Sequence, residues 1–437
     1  MTGQAELLAR HRQVMPSWLS LFYDEPIELV DGKGCRVTDG EGVEYLDFFG
    51  GILTTSTGYN VTEVVEAVRE QASRMIHSST LYLIRPMVEL AEKIAELSTI
   101  PDAKVFFTSS GSEAVEAALL VCCTARRSNQ VLALRNSYHG RSFANIAVTG
   151  NRSWSASSFS PLHVSFVHNG YRYRSPFGHL PDAEFIAACA ADLRDVIETT
   201  TAGDVACMIA EPIQGVGGFA TPPDGFFHAM TDVLDEYGIP FVSDEVQTGW
   251  GRTGEHFWGF QAHSVMPDVL TFAKGLGNGL TIGGIVGGAE LIDSVAANSI
   301  STFGGNHLST AGALANLNYL LDHDLQGNAL AVGGFLMAKL TELGSRYDVF
   351  GEVRGKGLMI GLELVEPGTK TPSVRAANAV LEEAKRHGLL LGKGGLYGNV
   401  LRIAPPMCVT KEEAVEALSG IEAGLERAEA LCKEATS

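Results

Sequence analysis

The chain has 437 residues, 45% hydrophobic and 19% charged, which is the make-up of a folded protein large enough for two lobes and excludes disordered or fibrous classes. Its 51 acidic residues against 32 Lys and Arg give a formal charge of -19; such a surface repels phosphate backbones and anionic lipid, so no nucleic acid or membrane partner is expected. Seven cysteines, an odd number without CxxC spacing, read as reduced thiols of a cytoplasmic protein; no metal site is expected.

The opening segment MTGQAELLARHRQVMPSW has no uninterrupted apolar stretch of the export type, and no run of about 18 apolar residues occurs anywhere. Residues 1–75 hold a helix and a hairpin-like run, Ile27 to Phe49, expected to join a smaller domain. Residues 76–330 alternate short apolar runs with helical patterns, the mark of a mostly parallel sheet flanked by helices. The strand candidates are Lys104 to Phe107, Val131 to Leu134, Val164 to Val167, Val205 to Ala210, Pro240 to Ser243 and Val269 to Phe272. Residues 331–437 read as a smaller α/β domain, with strands in Gly357 to Val365, around Leu389 to Leu391 and around Val400 to Ile403, between helices. No long linker or repeat is visible.

In open α/β sheets the ligand crevice lies at the carboxyl ends of the strands. Thr108 to Ser112, Asn136 to Arg141, Glu211, Asp244 and Lys274 are therefore expected to converge there. Ser109 to Ser112 pass from strand to helix, where free amides and the positive helix end suit a phosphate; serine capping of the helix is the plainer explanation. Tyr138, His139 and Gly140 follow a strand at a place where an aromatic ring can stack on a flat ligand, or simply pack in the core. Asp244 either caps a turn or faces a pyridine nitrogen, keeping it protonated. Lys274, between VLTFA and GLGNG, is either a solvated surface lysine or a desolvated imine former. Arg402 ends a late strand, where its fork binds a carboxylate or makes a rim salt bridge. No GxGxxG or GxxxxGK[ST] pattern supports a dinucleotide or P-loop site.

The segments FFTSSGSEAVEAAL, SYHGR, AEPIQGVGG, SDEVQTGWGRTG, TFAKGLGNG, STFGGNH, VRGKGLMIGLELV and LRIAPP occur in the order found in class III aminotransferases, which the chain resembles almost from end to end. It is most similar to the alanine:glyoxylate aminotransferase type, to which phosphoethanolamine and phosphohydroxylysine phospho-lyases are related. The resemblance implies the fold type I architecture of pyridoxal 5'-phosphate enzymes, with Lys274 in Schiff-base linkage to the cofactor and Asp244 on its ring nitrogen. It further implies Gly111 and Ser112 at the phosphate, Tyr138 stacked on the ring with His139 beside it, Gln247 near the phenolic oxygen and Glu211 behind them. Arg402 then holds the substrate α-carboxylate, and Arg141, which follows YHG, serves a carboxylate too. Thr302 is expected at the phosphate of a neighbouring subunit, which makes a homodimer, or a dimer of dimers, the active unit.

Three positions depart from the family pattern. The GEGG glutamate that masks the carboxylate arginine in many ω-aminotransferases is Val216; GHxHP is GYNVT; the proline after TFGGN is His307. The function implied is ping-pong transfer of an amino group from an amino acid or ω-amine donor to a small 2-oxo acid such as pyruvate or glyoxylate. Its rivals are a phospho-lyase acting on a phosphorylated amine and a non-catalytic binding protein of the same fold.

Overall fold

The computed structural model of the chain describes residues 3–434. At its centre is a seven-stranded sheet in the spatial order Ala103–Thr108, Gly283–Gly288, Val269–Phe272, Phe241–Asp244, Cys207–Ala210, Gln130–Leu134, His163–Val167. The last five run parallel, and Gly283–Gly288 is antiparallel to both its neighbours. Cys207–Ala210, Phe241–Asp244 and Val269–Phe272 are buried at every position. Such strands read as unbroken apolar runs because helices cover both faces. Alternate side chains go to opposite layers. Leu132, Met208 and Phe241 pack with Phe185 and Leu193 of the Asp182–Thr200 helix, while Val131, Ile209 and Val242 pack with Ala114, Ala118 and Cys122 of the Gly111–Arg126 helix.

The sheet has one strand more than the apolar runs suggested. Gly283–Gly288, GGIVGG, offers too few side chains to stand out as a run. Its glycines are there for close backbone approach, since a Cβ on Gly284 would lie 2.5 Å from the Phe106 carbonyl oxygen.

A second sheet, antiparallel throughout, has the order Phe350–Lys356, Met359–Leu364, Val400–Ile403, Gly392–Gly394. Its first strand escaped the sequence reading because Glu352, Arg354 and Lys356 break the apolar pattern. The third sheet joins the hairpin strands Leu29–Lys33, Arg36–Asp39 and Glu44–Asp47 to Leu389–Leu390, which lies parallel to Leu46 and Asp47. The run expected around Leu389 to Leu391 thus supplies only Leu389 and Leu390 to this sheet, and the next strand, Gly392–Gly394, belongs to the antiparallel one.

After this hairpin the Asp47 carboxylate accepts from the amides of Phe49 (2.8 Å) and Gly50 (3.0 Å). The chain then passes through Gly50, Gly51, Ile52 and Leu53, all at positive φ (54°, 57°, 63° and 60°). A left-handed turn costs about 1–2 kcal/mol per non-glycine residue. This one carries Ile52 and Thr54 to the carboxyl ends of the central strands.

Candidate active site

Lys274 directly follows the Val269–Phe272 strand and Ala273, at φ 41°, a region that non-glycine residues enter only when their surroundings force it. It lines a cavity of about 360 Å³ together with Ser110, Gly111, Ser112, Tyr138, His139, Gly140, Glu211, Asp244, Gln247 and Arg402. Burial, with the charge of Arg402 adding, lowers the amine from its usual value to about 8.

Asp244 is the last residue of its strand. Its Oδ2 is 2.7 Å from His139 Nδ1, and its Oδ1 accepts from Thr271 Oγ1 (3.0 Å) and the Val246 amide (3.2 Å). The His139 ring is fully enclosed, and its Nε2 has no hydrogen-bond partner. Glu211, beside them, accepts from the amides of Tyr138 and Gly215, each at 2.8 Å. Burial lifts its carboxyl to about 7, His139 pulling the other way.

The start of the Gly111–Arg126 helix supplies the opposite wall. Ser110 caps it, with Oγ accepting from the Glu113 amide (3.2 Å), so the plain capping explanation holds as well. First-turn amides have no partner inside a helix, and those of Gly111 and Ser112 are at the cavity. Gly140 closes the turn against them at φ 121°, where a Cβ would come within 2.5 Å of Ser112 Oγ and of Asn145 Nδ2. Only glycine fits there. Tyr138 sits on the cavity wall, edge-on to Trp154 with ring centroids 5.3 Å apart.

Arg402 projects from the Val400–Ile403 strand and is buried. Its guanidinium lies between the rings of Phe49 (5.1 Å) and Phe219 (4.6 Å), donates to Gln247 Oε1 at 2.7 Å, and has an unpartnered Nε. Burial lowers its pKa to about 10. Among the described residues no carboxylate pairs with it, and Val216 lines the cavity in its place. Gln247 can lie where it does because residue 215 is glycine: a Cβ there would be 2.3 Å from the amide carbon of Gln247.

One expected residue is not brought to this cavity. Arg141 is exposed, its guanidinium 5.8 Å from the Trp18 ring centroid, because the Gly140 turn sends its side chain outward. Thr302, expected at the phosphate of a neighbouring subunit, is exposed, next to Ser301, whose Oγ donates to Glu113 at 2.6 Å. The sequence reading also missed residues. Phe49 and Phe219, the walls around Arg402, carry no sequence signal, since loops deliver them. Lys393 lines the cavity, and burial lowers its pKa. Its setting, GKGG, repeats the glycine-rich context that drew attention to Lys274.

Open helix amides for an anion, a carboxylate backed by an imidazole, an aromatic wall and a depressed amine make a donor set that fits pyridoxal phosphate. The family model described as Aminotransferase class-III matches residues 23–425. Alanine–glyoxylate aminotransferase 2 homolog 2, mitochondrial, of Arabidopsis thaliana is 40% identical over 414 residues, spanning 93% of this chain and 84% of that protein. An amine transaminase from an uncultivated Pseudomonas species, solved in its PLP-bound form, superposes with a TM-score of 0.89 at 31% identity, covering 95% of this chain and 98% of the other. A phospholyase from Arthrobacter, solved in complex with phosphoethanolamine, gives 0.88 at 30% identity, covering 96% and 99%. The chain belongs to the class III aminotransferases and is a transaminase dependent on pyridoxal phosphate.

Proposed function

We propose that the protein moves an amino group from an amino acid or ω-amine donor to a small 2-oxo acid, pyruvate or glyoxylate, the two substrates occupying the Lys274 cavity in turn. One observation carries this reading: a lysine lowered to about 8 shares its cavity with a buried guanidinium that pairs with no carboxylate among the described residues. The first is a proton carrier suited to near-neutral pH; the second is a receptor for a carboxylate. When bound, pyridoxal phosphate supplies the electron sink for the reaction.

Lys274 Nζ would hold the cofactor, and when freed would take the proton from the donor carbon that bears the amine. Asp244, steadied by His139, would keep a proton on the pyridine nitrogen. The amides of Gly111 and Ser112 would hold the phosphate, Tyr138 would cover the ring, and Gln247 would serve the phenolic oxygen. Glu211 fixes the Tyr138 and Gly215 backbones. Arg402 grips the oxo acid's carboxylate, exchanging Gln247 for it. Because donor and acceptor use one site in sequence, the kinetics are ping-pong.

A homodimer in the cytoplasm is part of the same reading. Thr302 stands between exposed Ile300 and Phe303, and Leu83, 97% exposed, follows Leu81 and Tyr82 on a nearby segment. A second copy would cover this apolar surface and bring Thr302 to the partner's phosphate site; a monomeric mass in solution would remove that role.

Lys274→Ala is expected to lose both the visible absorbance of the bound cofactor and turnover, and a variant retaining activity overturns the assignment. The likeness to the Arthrobacter phospholyase favours a second reading, elimination of phosphate from a phosphorylated amine. Phosphate release from phosphoethanolamine with no oxo acid present decides for it, and oxo-acid-dependent consumption of the donor decides against it.

A further inference from the structure

We propose that Cys35 and Cys408 form an oxidisable dithiol, which a peroxide closes to a disulfide that fastens the N-terminal hairpin to the segment following Arg402. Their sulfurs lie 3.6 Å apart although 373 positions separate them in the chain. A disulfide requires about 2.0 Å. Cys35, only 2% exposed, sits in the turn between the strands Leu29–Lys33 and Arg36–Asp39, its Sγ 3.7 Å from the Pro406 carbonyl oxygen. Cys408 is half-buried and lines a separate surface cavity of about 660 Å³ with Tyr319, Asn328, Phe335 and Lys411. One sulfur is therefore open to a small oxidant, and the other waits behind it.

The surroundings favour the thiolate on the accessible sulfur. Arg252 is fully buried and bonds only to the carbonyls of Pro405 and Leu358 and to Ser56 Oγ, with no carboxylate partner among the described residues. Its charge acts on both sulfurs. The contact between the two sulfurs, helped by Arg252, lowers the Cys408 thiol, whereas that contact and burial raise Cys35. A lowered, reachable thiol beside a resolving thiol is the arrangement of oxidant-sensitive cysteines.

The Cys408 thiolate attacks one oxygen of hydrogen peroxide, the O–O bond breaks, and sulfenic acid and hydroxide form. The Cys35 thiol then attacks that sulfur, the S–S bond forms, the S–O bond breaks, and water leaves with the thiol proton. Two thiols are oxidised and one peroxide is reduced to two waters. The bond ties together parts of the chain that only the folded state brings near, so it restricts the unfolded chain over a long loop.

The test treats the holoenzyme with hydrogen peroxide, blocks free thiols, and maps the peptides without reduction. The expected result is one linked peptide pair joining Cys35 to Cys408, lost with dithiothreitol, and a melting temperature at least about 3 °C above that of the reduced enzyme. In Cys35→Ser, a dimedone-type probe is expected to label Cys408 after peroxide, whereas Cys408→Ser is expected to leave Cys35 unoxidised. Both cysteines recovered as blocked thiols after peroxide has oxidised exposed methionines would overturn the proposal. So would an unlabelled Cys408 in the Cys35→Ser variant, and a cross-link that leaves the melting temperature unchanged would overturn the fastening. If Cys35→Ser does not fold, the map of the unmutated enzyme decides alone.

Discussion

Two buried arginines project from the same antiparallel sheet, Arg354 from its edge strand and Arg402 from the strand Val400–Ile403. Arg354 is surrounded by acceptors: Glu352 at 2.7 Å, Glu363 at 2.8 Å, and the Gly218 carbonyl at 2.8 and 3.1 Å, with the Tyr171 ring 4.5 Å from its guanidinium. Glu363 is in turn held by Tyr171, Arg174 and Asn399. Burial alone would lower the Arg354 pKa, and Tyr171, Glu363 and Glu352 raise it instead. Arg402 has one neutral amide and two aromatic faces. A buried cation with all its acceptors in place braces a fold. One without them raises the free energy of the empty site, and a carboxylate ligand offsets that cost. The two are linked, because the Gly218 carbonyl that Arg354 grips belongs to the loop that presents Val216 and Phe219.

The contrast breaks most visibly at Arg354. Arg354→Ala leaves Glu363 buried without its main partner and is expected to cost about 3–5 kcal/mol of stability, read in a denaturant melt; a loss below about 1 kcal/mol would mean that the cluster braces nothing. Arg402→Ala is expected to behave in the opposite way, with the melt nearly unchanged and kcat/KM for the oxo acid down about a hundredfold. Equal damage from both variants in both assays would erase the distinction.

A third measurement concerns Glu211, whose folded pKa of about 7 stands above its ordinary 4.5. Its protonated form is favoured by folding, so its contribution is fully present below pH 4.5 and is lost as pH rises through 7. Stability of the apoenzyme should fall across that window by about 3 kcal/mol, and Glu211→Gln should flatten the slope. The smallest effect is expected from Gly215→Ala. Its Cβ displaces Gln247 from beneath Arg402, at about 1–2 kcal/mol, and oxo-acid binding should weaken about tenfold. Unaltered binding would show that Gln247 takes no part in positioning the guanidinium.

The polar residues at the ends of the parallel strands were legible because those strands are buried on both faces and print themselves as continuous apolar runs. Tyr138, Glu211, Asp244 and Lys274 lie at or just beyond the ends of such strands and share one cavity with Ser110 to Ser112, which follow the edge strand Ala103–Thr108. Arg402 was read from its place on a late strand and the family resemblance added Gln247; both line the cavity. The strand Gly283–Gly288 was not legible, since backbone proximity rather than side-chain burial explains its composition. Ile52 and Thr54 on the cavity wall were not legible either: their place depends on four successive left-handed residues, a conformation no propensity favours for Ile52 and Leu53. Lys393 was within reach, had its glycine-rich context been weighed as that of Lys274 was.

The pairing of Leu46 and Asp47 with Leu389 and Leu390 ties together segments that a ribosome makes at very different times. Roughly 340 residues separate them, and at about 5–20 residues per second the later strand emerges roughly 20–70 s after the earlier one. The hairpin of Arg36–Asp39 and Glu44–Asp47 needs only its own turn and is free to close at once. Its outer edge stays unpaired until synthesis is almost finished, which makes the nascent chain, rather than the finished enzyme, the species most exposed to edge-to-edge aggregation.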